Sequence, residues 1–112
     1  MAQDFERIYK SSISNNSASP TTITTSNSDD AIIGIRCVNK GTSAVTVTIT
    51  ITDSGSTVYN VIKGAPIPVG GSLELIDGGS KIVMQTGDIL KAFADTASAV
   101  DVLTSIVDSI ST

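Results

Sequence analysis

The sequence predicts an all-β fold in which two antiparallel sheets pack face to face, and three observations carry that prediction. First, Ala44 to Thr52 reads AVTVTITIT, with Val45, Val47, Ile49 and Ile51 on one parity and Thr46, Thr48, Thr50 and Thr52 on the other. A period of two is the mark of a strand with one apolar face. Second, turn signals recur at roughly ten-residue spacing from residue 31 onward, the rhythm of a sandwich or barrel. Third, β-branched residues are frequent throughout and no segment demands a helix. The prediction is an antiparallel β-sandwich of jelly-roll or immunoglobulin-like type over residues 31–112, with an extended, polar N-terminal arm over residues 1–30.

The elements follow in order. FERIYKSSI reads as a strand or an arm, and SNNSASPTTITTSNSDD as a loosely held polar segment with one short strand at TTITT. Phe5, Ile8, Tyr9 and Ile13 would sit in water on a free arm, so they are expected to dock on their own domain or on a neighbour. AIIGIRCV is apolar on both parities, which suits a central strand covered on both sides. The turn NKGTS leads into AVTVTITIT. DSGS is too short for anything but a hairpin to TVYNVI. Pro66 and Pro68 in KGAPIPVGG cannot donate to a ladder, which places that stretch at an edge or a crossing between sheets. SLELI, the turn DGGS, KIVMQ, the turn TGD and ILKAFA continue the β pattern. VDVLTSIV also fits a helical face through Ala99, Leu103, Ile106 and Ile110, but strand is favoured because short strands precede it. On this reading the Val/Ile face of residues 44–52 is core, contributing on the order of 6–10 kcal/mol before chain entropy is counted. The Thr face looks outward, so the strand must be central or covered by another subunit.

Composition narrows the function classes. The chain has 112 residues, 40% hydrophobic, 4% aromatic and 16% charged, with a net charge of −4. That is one domain with an aliphatic core. Its seven basic residues are scattered singly, whereas nucleic-acid binding needs a concentrated positive patch. Cys37 is the single cysteine, so no intrachain disulfide forms, and its apolar setting suits a small buried hydrophobe. MAQDFERIYK lacks the apolar core of a secretory signal, and no run approaches the ~20 apolar residues of a membrane helix. Synthesis and folding in the cytoplasm are expected.

The sequence offers few groups for chemistry. There is no histidine and no tryptophan, so the commonest general base and metal ligand is missing. The acids lie mostly in or beside turns, where Asp caps backbone amides. DSGS and DGGS lack the ligand spacing of a calcium loop, and the glycine-containing stretches lack the ending of a phosphate loop. No catalytic residue, metal, cofactor or small-molecule substrate is indicated.

Taken in order, AIIGIRCVNKGTS, AVTVTITIT, GAPIPVGGSLELIDGGSKIVMQTGDILKAFAD and SAVDVLTSIVDS resemble the small β-sandwich virion proteins of tailed bacteriophages. The most telling piece is IPVGGSLELIDGGSKIVMQTGDILKAFA, with its prolines, small turn, Leu-rich strand and GD-hydrophobic run. The resemblance covers residues 31–107. It implies a multi-copy structural protein of the particle, made in the host cytoplasm and located in the virion, and partnered by itself and by other virion proteins. Capsid decoration is placed ahead of neck or tail assembly. The alternatives are a receptor- or glycan-binding module, against which the scarcity of aromatics counts, and a carboxylate enzyme using Asp77 and Asp88. Interface residues are expected at Phe5, Ile8, Tyr9 and Ile13 in the arm and at Pro66, Ile67 and Pro68 in the proline link.

Overall fold

The computed structural model describes residues 4–75 and 82–108. Among these are nine strands and no helix: β1 (Asp4–Lys10), β2 (Thr21–Thr25), β3 (Asp30–Asn39), β4 (Val45–Thr52), β5 (Val58–Ile67), β6 (Ser72–Glu74), β7 (Ile82–Met84), β8 (Ile89–Ala94) and β9 (Val100–Asp108). They form two antiparallel sheets. The first runs β1-β9-β3-β6, with β7 also on β3, and the second runs β2-β8-β4-β5. The expected sandwich is therefore present, and VDVLTSIV is strand rather than helix.

Alternation along each strand builds the core. Ile35, Cys37, Val102 and Ile106 point inward from the first sheet and Val45, Val47, Ile49, Leu90 and Ala92 from the second. All are aliphatic or sulfur-bearing, as the composition implies. The hairpin between β4 and β5 closes through Asp53, whose Oδ1 accepts the amides of Gly55 and Thr57, both at 2.9 Å. β4 is an inner strand between β8 and β5, which is why its Thr row needs no charged guard against edge pairing.

Three parts are arranged otherwise than the sequence suggests. Where it suggests a polar arm, β1 pairs along its length with β9, β2 pairs with β8, and Ile13 and Ile23 enter the common core. Few apolar groups suffice, because each strand also gains a ladder of backbone hydrogen bonds. SLELI and KIVMQ yield β6 and β7, which do not pair with each other among the described residues. They lie end to end along the free side of β3, at Arg36–Val38 and Asp30–Ile32. The DGGS turn between them lies outside the described residues. Finally, AIIGIRCV is central but not covered on both sides, since Arg36 is exposed. A register shift between Ile32 and Gly34 moves the inward parity by one, so Ile32, Ile35 and Cys37 all face the core. A bulge, not a second covering layer, explains the apolar run on both parities.

The least obvious tie is Asn39. Its side chain is almost fully buried. Nδ2 donates to the carbonyls of Ser43 at 2.9 Å, Ile67 at 3.1 Å and Pro68 at 3.3 Å, and Oδ1 accepts the Gly41 amide at 2.9 Å. One side chain thus fastens the turn after β3 to the proline link after β5.

Candidate functional site

The chain has four aromatic residues, and none is in the core. Aromatic side chains carry the largest apolar payload available to a core, so rings left on the surface mark a site better than any other feature here. Leu90, Ala92 and Ala94 take the inward parity of β8 and leave Phe93 on the outer face. Tyr59 lies beside the β4–β5 turn, where its hydroxyl donates to Asp53 at 3.3 Å. The other two, Phe5 and Tyr9, share the outer face of β1.

That face is the best-defined candidate site. Phe5 is 82% and Tyr9 55% exposed. The register sets Phe5 opposite Val107, Arg7 opposite Ser105 and Tyr9 opposite Leu103. Arg7 lies over the Tyr9 ring, its guanidinium carbon 4.6 Å from the ring centre, a cation–π contact that stiffens both side chains. Beyond Leu103, Gly34 adds no side chain, and its Cβ position would meet nothing within 4 Å. This leaves a hollow of about 230 Å³ between Tyr9 and the Arg36–Glu74 pair, whose ions are 2.8 Å apart. A second hollow of about 440 Å³ lies beside Phe5, Arg7 and Ile33. β1 is also the outermost strand of its sheet, so one side of its backbone ladder has no partner strand among the described residues.

The expected interface residues separate into two groups. Phe5 and Tyr9 are on this face, and Pro66 and Pro68 are exposed at the other sheet's edge. Ile8 is half-buried against the core, while Ile13 is 1% exposed and Ile67 fully buried. Ile13 and Ile67 are thus core residues: the Ile13 amide donates to the Val100 carbonyl at 3.0 Å, drawing the chain inward, and Ile67 is opposite Val45 on the core parity of β5. Sequence reasoning did not single out Leu103, Val107 or Arg7. The alternation of VDVLTSIV contains Leu103 and Val107, but which parity faces outward follows only from the pairing with β1.

Four of the described carboxylates, those of Asp53, Asp88, Asp95 and Asp101, hold backbone amides. Asp88 Oδ2 accepts the Gln85 amide at 2.9 Å, and Asp95 Oδ1 accepts the Thr46 amide at 3.1 Å. Asp101 accepts the Ser12 amide at 2.9 Å and pairs with Lys40 at 2.9 Å. Asp77 lies outside the described residues. Among the described residues no group of three or more His, Cys, Asp or Glu side chains could hold a metal, and no helix is long and apolar enough to cross a membrane. Burial, aided by the charge of Glu74, pushes the Cys37 thiol up to about 12, so it is far from a thiolate nucleophile. Comparison with models of known protein families finds no match, and comparison with curated proteins finds none either.

Proposed function

We propose that this chain is a non-enzymatic structural subunit that works in multiple copies and docks through the outer face of β1 and β9. The carrying observation is the pair of exposed rings, Phe5 and Tyr9, on one strand, with Arg7 stacked over the Tyr9 ring. Tyr and Arg are enriched among residues that dominate binding energy, and two large rings left exposed on one strand face are the kind of surface that a partner covers. The first occupant is a second copy. The face carries both signs of charge, Arg7 and Arg36 with Glu74, beside the rings, so it suits a self-complementary contact, and the open edge of β1 lies next to it.

The family resemblance in residues 31–107 supports a particular setting for such a subunit: the virion of a tailed phage. There it would bind and stabilise the capsid as a decoration protein, with neck or tail assembly as the alternative. Partners are then its own copies and other virion proteins. Deleting residues 1–29 does not test the docking face cleanly, because it removes β1, β2 and the core residues Ile13 and Ile23. Point variants do. Phe5→Ser with Tyr9→Ser leaves the core intact and should abolish both self-association and binding to purified phage capsids. Capsid binding that survives in the double variant would refute this face as the docking surface.

A further inference from the structure

The outer face of the second sheet carries a cleft that the assembly reading does not use. Thr48, Thr50 and Thr52 of β4 form its floor, Lys91 and Phe93 of β8 one side, and Lys63 of β5 the other. The register makes this arrangement: Phe93 is opposite Thr48, Lys91 opposite Thr50, and Asn60 opposite Thr50 from the β5 side. An end wall comes from Ser17, Ala18 and Pro20. That loop is built, not draped: Asn16 Oδ1 accepts the Ala18 amide at 2.9 Å, its carbonyl accepts the Ser19 amide at 3.1 Å, and Ser14 Oγ accepts the Asn16 amide at 2.9 Å. The open cleft has a volume of about 320 Å³, at the small end of the range for ligand sites, about 300–1,000 Å³.

Its chemistry is unlike that of the rest of the molecule. The protein is acidic overall, yet the cleft is lined by two lysines and no carboxylate. Neither lysine has an ion-pair partner among the described residues. The Thr48 hydroxyl accepts the Gly64 amide at 3.0 Å, made available where Gly64, at φ +64°, leaves the ladder in a bulge of β5. The proton of that hydroxyl is left to donate. The cleft thus combines ammonium groups, a row of hydroxyls, an amide and one aromatic face.

We propose that this cleft binds an acidic sugar, a pyranose bearing a carboxylate. Each part of such a ligand has a counterpart. Lys63 and Lys91 take the carboxylate through charge-assisted hydrogen bonds. The threonines and Asn60 exchange hydrogen bonds with the ring hydroxyls. The Phe93 ring covers the apolar C–H face of the sugar. A neutral sugar leaves both ammonium groups unpaired, and an inorganic anion leaves the aromatic ring unused.

The test is amide NMR titration of the full chain with a galacturonate trisaccharide, the matching neutral galactose trisaccharide and inorganic phosphate. The uronate should shift amides at residues 17–19, 48–52 and 91–93, and the neutral sugar should not. Lys63→Gln and Lys91→Gln should each weaken uronate binding by about tenfold, and Phe93→Leu should weaken the uronate but not phosphate. Lys63 is exposed, so its variant keeps the fold and carries the test even where Phe93→Leu lowers stability. Absence of uronate binding, equal binding of the neutral sugar, insensitivity to both lysines, or phosphate reproducing the same shifts at equal affinity would each overturn the proposal.

Discussion

Replacing Asn39 with Ala should be among the most damaging single substitutions at a residue that looks like an ordinary turn former. The side chain makes two short donor bonds, to Ser43 and Ile67 at 2.9 and 3.1 Å, and accepts one bond from Gly41 at 2.9 Å. At about 1 kcal/mol net for each, these account for ~3 kcal/mol. The 3.3 Å bond to Pro68 is long and adds little. The Ile67 carbonyl lies in the buried part of the site, and stranding it there costs about 1 kcal/mol more. The expected loss is thus about 3–4 kcal/mol, a large share of a typical 5–15 kcal/mol total. In urea the midpoint should fall with the slope unchanged. On heating, at about 4 °C per kcal/mol for a domain of this size, it should fall by roughly 12–16 °C. Asn39→Asp should be at least as harmful, since it replaces the donor with a charge facing three carbonyl oxygens. A loss below about 1 kcal/mol for Asn39→Ala would refute the view that one side chain ties the turn to the proline link.

Other outcomes follow from single groups. Thr104 is fully buried and its Oγ1 has no hydrogen-bond partner among the described residues, so Thr104→Val should stabilise the protein by roughly 1 kcal/mol in urea unfolding; a loss of stability would mean that the hydroxyl is satisfied. Cys37, buried and with its thiol raised to about 12, should resist iodoacetamide in the native protein and react once unfolded, and rapid native labelling would contradict its placement. For Asp101, partial desolvation raises the pKa, but hydrogen bonds from Lys40, the Ser12 amide and Ser11, with the Lys40 charge, outweigh it and hold the carboxyl below its usual value. A lowered folded-state pKa adds stability above the unfolded value of about 3.9 and loses it as pH falls through the folded one. The difference in urea midpoint between the protein and Asp101→Asn should therefore be constant near neutrality and shrink below about pH 4; a difference that persists unchanged into acid would contradict the Lys40–Asp101 tie.

Much of this architecture is legible in the chain. The V/T alternation of residues 45–52, the DSGS hairpin and the strand at TTITT all appear where local pattern places them, because side-chain parity and turn chemistry are local properties. What stays hidden is what depends on pairing partners. The bulge at Ile33 makes β3 read as a doubly covered strand. β6 and β7 look like a hairpin because no local feature says that both will align on β3. Ile13 and Ile67 look like surface anchors because a single isoleucine among polar or proline-rich neighbours carries no sign of a core on the far side. The same holds for the site: Phe5 and Tyr9 are visible as isolated rings, but Leu103, Val107 and the low ground at Gly34 join them only through the β1–β9–β3 register. The lysine-flanked cleft joins residues from three strands and a loop, so no sequence window contains it.

The most direct measurement is the solution mass by light scattering across a wide range of protein concentration, for the unaltered chain and for the Phe5→Ser, Tyr9→Ser double variant. Both rings are well exposed, so the double variant should keep its urea midpoint. The unaltered chain should form a closed oligomer and the variant should be a monomer. A monomer for both at the highest concentration, or the same oligomer for both, would contradict self-association through the outer face of β1 and β9.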